Sequence, residues 1–248
     1  MALVTGGSRG LGKDMVLRLA EKGIDVVLTY HTKKEEALDV VAQIEKAGRR
    51  AAALQLDTSR VAGFDAFAGS LKEVLKSKFG AERLDFLINN AGTGYHALIG
   101  DVTEEKFDQM VDIHFKGVLF LTQKTLPILN DGGGIVNISS GTTRITLPRF
   151  GVYSSLKAAI ENFSKILAVE LGPRRIRVNV VAPGAIQTDF SGGMVRDNPE
   201  VNKHISEVTA LGRPGLPEDI GGVVAFLCTE DARWINAQRI EVSGGQSL

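Results

Sequence analysis

Ala2-Leu3-Val4-Thr5-Gly6-Gly7-Ser8-Arg9-Gly10-Leu11-Gly12 opens as an apolar run that breaks into a glycine-rich turn. Met15, Val16, Leu19 and Ala20 then recur at helical spacing up to the stop at Gly23. Strand, glycine turn and helix in that order build a phosphate cradle, because glycines let backbone N–H groups and a helix N-terminus approach an anion. Two phosphate-binding patterns compete for these residues. Gly7-x-x-x-x-Gly12-Lys13 approaches a nucleoside-triphosphate loop, but Asp14 stands where that loop needs a metal-binding Ser or Thr, and its carboxylate would repel phosphate. The strict G-x-G-x-x-G spacing is not met either. What stands here is Thr5-Gly6-x-x-x-Gly10-x-Gly12, a turn suited to a dinucleotide.

Outward from that turn, strand-like and helix-like stretches alternate. Apolar runs at 25–30, 50–56, 84–88, 135–138, 176–181 and 239–242 read as further strands, and helical periodicity covers 33–46, 64–75, 104–129 and 151–171. The pattern predicts an α/β chain: a doubly wound Rossmann fold, one domain over 1–248, with a seven-stranded parallel sheet and helices on both faces. Alternation lapses at 184–215, rich in Gly, Pro and polar residues, and a long excursion of that kind is expected to be a substrate loop or lid. The chain begins directly on a strand, which fits either a very tight start or a few residues ahead of it.

Bulk properties exclude several function classes. Lys plus Arg equals Asp plus Glu at 29 each in 248 residues, so no net field draws the chain to nucleic acid or an anionic membrane. No stretch reads as a signal peptide or a spanning helix. The one cysteine, Cys228, excludes an internal disulfide, fits a reducing cytosol and sits in an apolar run that predicts burial. No cluster has metal-ligand spacing, so no metal is expected.

The second strand ends where a dinucleotide's adenosine ribose would lie. Thr29-Tyr30-His31-Thr32-Lys33-Lys34 brings no acid until Glu35, and with Arg9 this favours NADP(H) over NAD(H), against the plainer reading of a polar first helical turn. Asn89-Asn90-Ala91-Gly92 stands at the C-terminal end of the fourth strand, where open parallel sheets bind ligands, so its amides are expected to contact a cofactor or hold a turn. Tyr153 and Lys157 fall four residues apart on one helix face. An ammonium held there would bring the phenol's pKa down from about 10, which suits carbonyl–alcohol chemistry. The spacing alone is also that of an amphipathic helix with a solvated lysine.

Taken together, Thr5-Gly6-x-x-x-Gly10-x-Gly12, Asn89-Asn90-Ala91-Gly92, Ser140, Tyr153-x-x-x-Lys157 and Pro183-Gly184 resemble the short-chain dehydrogenases/reductases over essentially the whole chain, near the 3-oxoacyl-carrier-protein reductase-like and glucose dehydrogenase-like members. The resemblance implies that Ser140 polarises the substrate oxygen, Tyr153 transfers the proton, and Lys157 lowers the tyrosine's pKa and binds the nicotinamide ribose. It implies cofactor contacts from Gly6, Gly10, Leu11 and Gly12; from Ser8, Arg9, His31 and Thr32 around the 2′-phosphate; from Asp57 at the adenine; and from Asn89, Ala91, Gly92, Pro183, Gly184, Ile186 and Thr188 along the nicotinamide half. It further implies a homotetramer (or homodimer). Ser140 is preferred to Ser139 on family spacing.

One departure stands out. His114 occupies a position where the family has Asn, whose backbone carbonyl holds a relay water. Three readings follow: a relay that still works, an extra proton donor, or impaired catalysis. The reaction expected is NADP(H)-dependent interconversion of a carbonyl and a secondary alcohol; the alternative is a cofactor-sensing protein without turnover. Tyr95, His96, Thr142, Arg144 and Phe150 are expected to line the substrate pocket, with Arg144 and Arg149 available to an anionic substrate group or merely solvated.

Overall fold

The computed structural model describes residues 1–248. Seven parallel strands, β1 (Ala2–Val4), β2 (Val26–Tyr30), β3 (Ala51–Gln55), β4 (Leu84–Asn89), β5 (Leu129–Ile138), β6 (Arg177–Pro183) and β7 (Arg239–Val242), form one sheet in the order β3-β2-β1-β4-β5-β6-β7. The order reverses direction between β1 and β4, which opens a crevice at their C-terminal ends.

Strand alternation builds a core on each face of the sheet. Ala2, Val4, Val26 and Leu28 point to one core, with α1 (Gly10–Glu21), α2 (Lys34–Lys46) and, further along the chain, the Pro217–Leu227 helix. Leu3 and Val27 point to the other, with α3 (Phe64–Phe79) and residues of the later helices that include Leu121 and Leu167. The remaining helices are α4 (Glu104–Val111), α5 (Gly117–Thr125), α6 (Gly151–Glu170), α7 (Met194–Asp197), α8 (Pro199–Glu207) and α9 (Pro217–Leu227). Cys228 is buried behind α9. No helix is long and apolar enough to cross a membrane.

Asp14 answers the competition between phosphate patterns. Its carboxylate is buried between α1 and α9, where a Cβ on Gly221 would lie 1.9 Å from Oδ2. It serves the packing of two helices, and burial holds its pKa above the usual carboxylate value, with Arg18 opposing.

Three boundaries differ from the sequence pattern. The helical stretch expected over 104–129 ends at Thr125, and β5 starts at Leu129 rather than after the glycines. The pairing with β4 shifts register between Leu84 and Phe86, so Gly132–Gly134 form an irregularity inside the strand. A Cβ on Gly133 would lie 2.2 Å from the Asp85 carbonyl, which is why a glycine is needed at that close approach. Residues 112–116 form a π-helical segment between α4 and α5. The 184–215 excursion contains α7 and α8, and an isolated bridge between Ile186 and Gly215 closes its base.

Candidate active site

The turn after β1 is held from both sides. Thr29 Oγ1 accepts from the Gly6 N–H at 3.1 Å, and Asn90 Nδ2 donates to the Thr5 and Gly6 carbonyls at 2.8 and 3.2 Å. Thr5 Oγ1 in turn accepts from the N–H groups of Asn90 and Ala91, both at 2.9 Å. Gly6 and Gly10 adopt φ of +66° and +54°, and a Cβ on Gly12 would lie 2.1 Å from the Gly6 carbonyl. The first turn of α1 carries no acid, and Arg9 at its N-cap makes no side-chain cap. Free N–H groups, the helix dipole and a floor that admits no side chain fit a pyrophosphate.

The other cofactor candidates surround this turn. Ser8 is buried; Leu11 packs against the core beneath the turn. Past the end of β2, His31 and Thr32 are exposed and no carboxylate occupies the strand terminus, a donor set that fits a 2′-phosphate. Asp57 accepts from the Ser59 N–H and hydroxyl and faces His31 Nε2 at 3.6 Å. Burial pushes its carboxyl up, but the Ser59 hydrogen bonds and the His31 charge hold it below the usual range. Thr188 lies across the turn, 3.7 Å from where a Gly10 Cβ would be. Its Oγ1 accepts from the Phe190 N–H, which starts the excursion directly above the cradle. Pro183 ends β6, and Gly184 is pinned beneath Ser243 and Gln246, where a Cβ would lie within 2.9 Å of both.

Asn89 and Asn90 divide their work in a way the motif did not reveal. The Asn89 amide donates to Thr122 Oγ1 and Asn137 Oδ1 at 3.2 and 2.8 Å, and Asn137 passes the chain to Ser164. Its side chain therefore belongs to a buried strut between strands and helices, leaving only its main chain for the crevice. Asn90 takes the turn-holding role, on the glycine turn itself.

Ser139 and Ser140 are separated just as clearly. Ser139 Oγ donates to Glu161 Oε1 at 2.6 Å, away from the crevice. Glu161 Oε1 also accepts from Arg239 Nε and Thr143 Oγ1, both at 2.8 Å, and Thr143 Oγ1 lies 2.9 Å from the Ser140 carbonyl. That network fixes the Ser140 main chain. Ser140 Oγ accepts from the Thr142 N–H at 3.2 Å and the Thr142 hydroxyl at 3.0 Å, so its own proton is free to point elsewhere.

Tyr153 and Lys157 are both buried, which removes the reading of a solvated lysine. Lys157 Nζ donates to the Ile138 carbonyl at 2.8 Å and lies 5.7 Å from the centre of the Tyr153 ring. Burial pushes the phenol up to about 12, with a hydrogen bond from Ser140 opposing, and pushes the ammonium down to about 8. Burial thus works against the expected acidification of the tyrosine, since the Lys157 ammonium is directed at a carbonyl.

His114 lies in the π-helical segment, 1% exposed, with its ring edge-on to Tyr153 at a centroid distance of 5.4 Å. Its Nε2 faces Thr93, 2.8 Å from the carbonyl and 3.3 Å from the N–H, and Nδ1 is left without a partner. The ring is admitted by Gly92, where a Cβ would lie 2.8 Å from Cε1. Burial, with the Lys157 charge, pushes its pKa down to about 3. Burial that keeps the imidazole neutral makes it a poor acid near neutral pH, which weighs against the extra-donor reading.

On the substrate side, Arg144 is spent elsewhere. Its guanidinium donates to Glu241 Oε1 and Oε2 and to the carbonyls of Gln246 and Ser247. It does not wait for an anionic substrate. His96 Nε2 meets Ser191 Oγ at 2.9 Å, linking the loop after β4 to the excursion, a contact between residues whose separation in sequence hid it.

A glycine cradle at a switch point, with a buried Tyr–Lys pair beside it, defines a nicotinamide-dependent oxidoreductase of the Rossmann type. The family model described as enoyl-(acyl carrier protein) reductase, a branch of the short-chain dehydrogenases/reductases, matches residues 6–247. An uncharacterized oxidoreductase of Methylorubrum extorquens is 42% identical over 99% of this chain and 96% of its own length. A hydroxynaphthalene reductase-like protein of Metarhizium brunneum is 36% identical over 99% and 94%. The crystal structure of an angucycline C-6 ketoreductase, LanV, with bound NADP superposes with a TM-score of 0.94 at 38% identity, covering 99% of this chain and 95% of that one. The chain belongs to the short-chain dehydrogenase/reductase family.

Proposed function

We propose that the protein is an NADP(H)-dependent carbonyl reductase that also runs the reverse oxidation of a secondary alcohol. The observation that carries this is the buried Tyr153 beside Lys157 and Ser140, in a sheet whose β1 runs into the glycine turn. When bound, the dihydronicotinamide supplies the hydride. Ser140, its oxygen already accepting twice from Thr142, directs its one proton at the substrate oxygen and steadies the charge that develops there. Tyr153 gives that oxygen its proton. Lys157 retains two N–H groups beyond the Ile138 bond, which suit ribose hydroxyls, and its charge stabilises the phenolate once the pocket is filled. His114 keeps the ring of Tyr153 in place, and the relay to solvent runs past it.

Preference for NADP(H) rests on Arg9, His31 and Thr32 with no acid at the end of β2, and the NADP-bound ketoreductase among the similar structures supports it. Segment 184–215 acts as the substrate lid. In this reading the protein works in the cytoplasm as a homotetramer joined through α6, its neighbouring helix and β7; Ile166 and Val169 on α6 are exposed apolar residues that such contacts would cover.

A carbonyl panel run with NADPH and NADH tests the proposal. Tyr153→Phe is expected to lower kcat by about 1,000-fold, within the span of general acid catalysis, while the Kd for NADPH stays unchanged. Equal turnover by the variant would sink the mechanism. NADPH binding with no reduction across the panel by the unaltered protein would favour a cofactor sensor.

A further inference from the structure

Tyr153 is walled by rings. Phe150 lies 6.4 Å from it at 71°, Phe190 of the 184–215 segment lies 6.0 Å away at 56°, and His114 closes the rear. Phe150 is itself held edge-on by His96 at 4.4 Å and 88°. Phe190 is kept in position by its neighbour: Ser191 Oγ meets His96 Nε2 and fills the space a Cβ on Gly94 would need. Phe190 nevertheless remains 42% exposed and Phe150 half-buried, so each ring has surface left for a ligand beside the phenol.

The charges near this wall are already used. Arg144 is bound to Glu241 and the C-terminal carbonyls, Lys157 is buried on Ile138, and Asp189 of the segment pairs with Arg196. Burial and the nearby Arg149 keep the His96 ring below its ordinary pKa, so it stands neutral. Arg149, exposed to solvent, bears on His96 without a carboxylate partner of its own. An ionic substrate group would depend on that arginine.

From this wall we infer that the site selects uncharged, flat ketones in which the carbonyl ring is fused to an aromatic ring, with Phe150 and Phe190 as its specificity residues. Offset and edge-on ring contacts favour an aromatic ligand over a saturated one of the same outline by roughly 2- to 12-fold per contact. Two rings near the phenol give two such contacts. His96 and Ser191, at the far edge, offer hydrogen bonds to a hydroxyl on the distal ring. The inference rests on the carbonyl-reductase reading and adds the substrate class to it.

The test compares 1-tetralone with 1-decalone, its saturated counterpart, and with 1-tetralone carrying a carboxylate on the distal ring, in NADPH-dependent reduction. The unaltered protein is expected to favour tetralone over decalone by about tenfold or more in kcat/KM. Phe190→Leu and Phe150→Leu should each bring that ratio down about fivefold, with the Kd for NADPH unchanged. The carboxylate should weaken reduction, and Arg149→Gln should leave the neutral ketone unaffected. Equal or better reduction of decalone, or preference for the carboxylate lost in Arg149→Gln, overturns the inference and leaves the carbonyl-reductase reading standing. Reduction of no carbonyl at all, with NADPH bound, overturns both.

Discussion

The two sides of the crevice are made of different material. The cofactor side is backbone: Gly6 and Gly10 in left-handed conformations, Gly12 against a carbonyl, and N–H groups left open at the start of α1. The side proposed for the substrate is side chain: His96 on Ser191, Phe150 and Phe190 around Tyr153, and His114 fitted against Gly92. A backbone cradle recognises what every dinucleotide shares, and it tolerates almost no change. A wall of side chains can be altered one residue at a time, which allows one fold to serve many substrates.

The sharpest way to probe the side-chain half is acid. His114 takes a proton near 6.5 in the unfolded chain but only at about 3 in the fold. Its burial therefore costs nothing above pH 6.5, and stability drains as pH falls from there towards 3, by up to about 5 kcal/mol. Tm measured over this range should fall steeply, and His114→Asn should flatten the fall. Identical profiles for both proteins would mean that the imidazole is not held neutral.

The backbone half should break at a single methyl group. Gly12→Ala sets a Cβ against the Gly6 carbonyl, and we expect a loss of roughly 1–3 kcal/mol, with weakened NADPH binding. Gly222, with nothing within 4 Å of its would-be Cβ in the middle of α9, is the control: alanine there should gain about 0.5–1 kcal/mol. Loss at both sites in thermal unfolding would show that the effect is not particular to the cradle.

The smallest effect should come from putting glycine into the side-chain half. Ser191 sits at φ +52° ahead of Gly192 and Gly193, a left-handed run in which a serine is strained. Ser191→Gly is expected to change stability by less than about 1 kcal/mol while raising KM for the ketone, since His96 loses its partner. An unchanged KM would separate the clasp from substrate binding.

Much of the site was legible because its signals are local. A strand, a glycine turn and a helix follow one another within residues 2–21, and Tyr153 and Lys157 share a helix face by spacing alone. The division between Asn89 and Asn90 was not legible, since two adjacent amides on a strand end point to opposite faces and only packing shows which one meets Thr122. Nor was the fate of Arg144: its carboxylate partner lies 97 residues away on β7.

The sequence by itself determined the parallel sheet, the dinucleotide turn and the candidate acid/base pair, because periodicity and glycine placement act through nearest neighbours in the chain. Only the tertiary structure decided how tightly that pair holds its protons. Burial of Tyr153 and Lys157 pushes the phenol up to about 12 and the ammonium down to about 8, and desolvation is a property of what surrounds a group in space. The same holds for His114, a departure in the sequence that becomes, in the fold, a neutral ring wedged between Gly92, Thr93 and Tyr153.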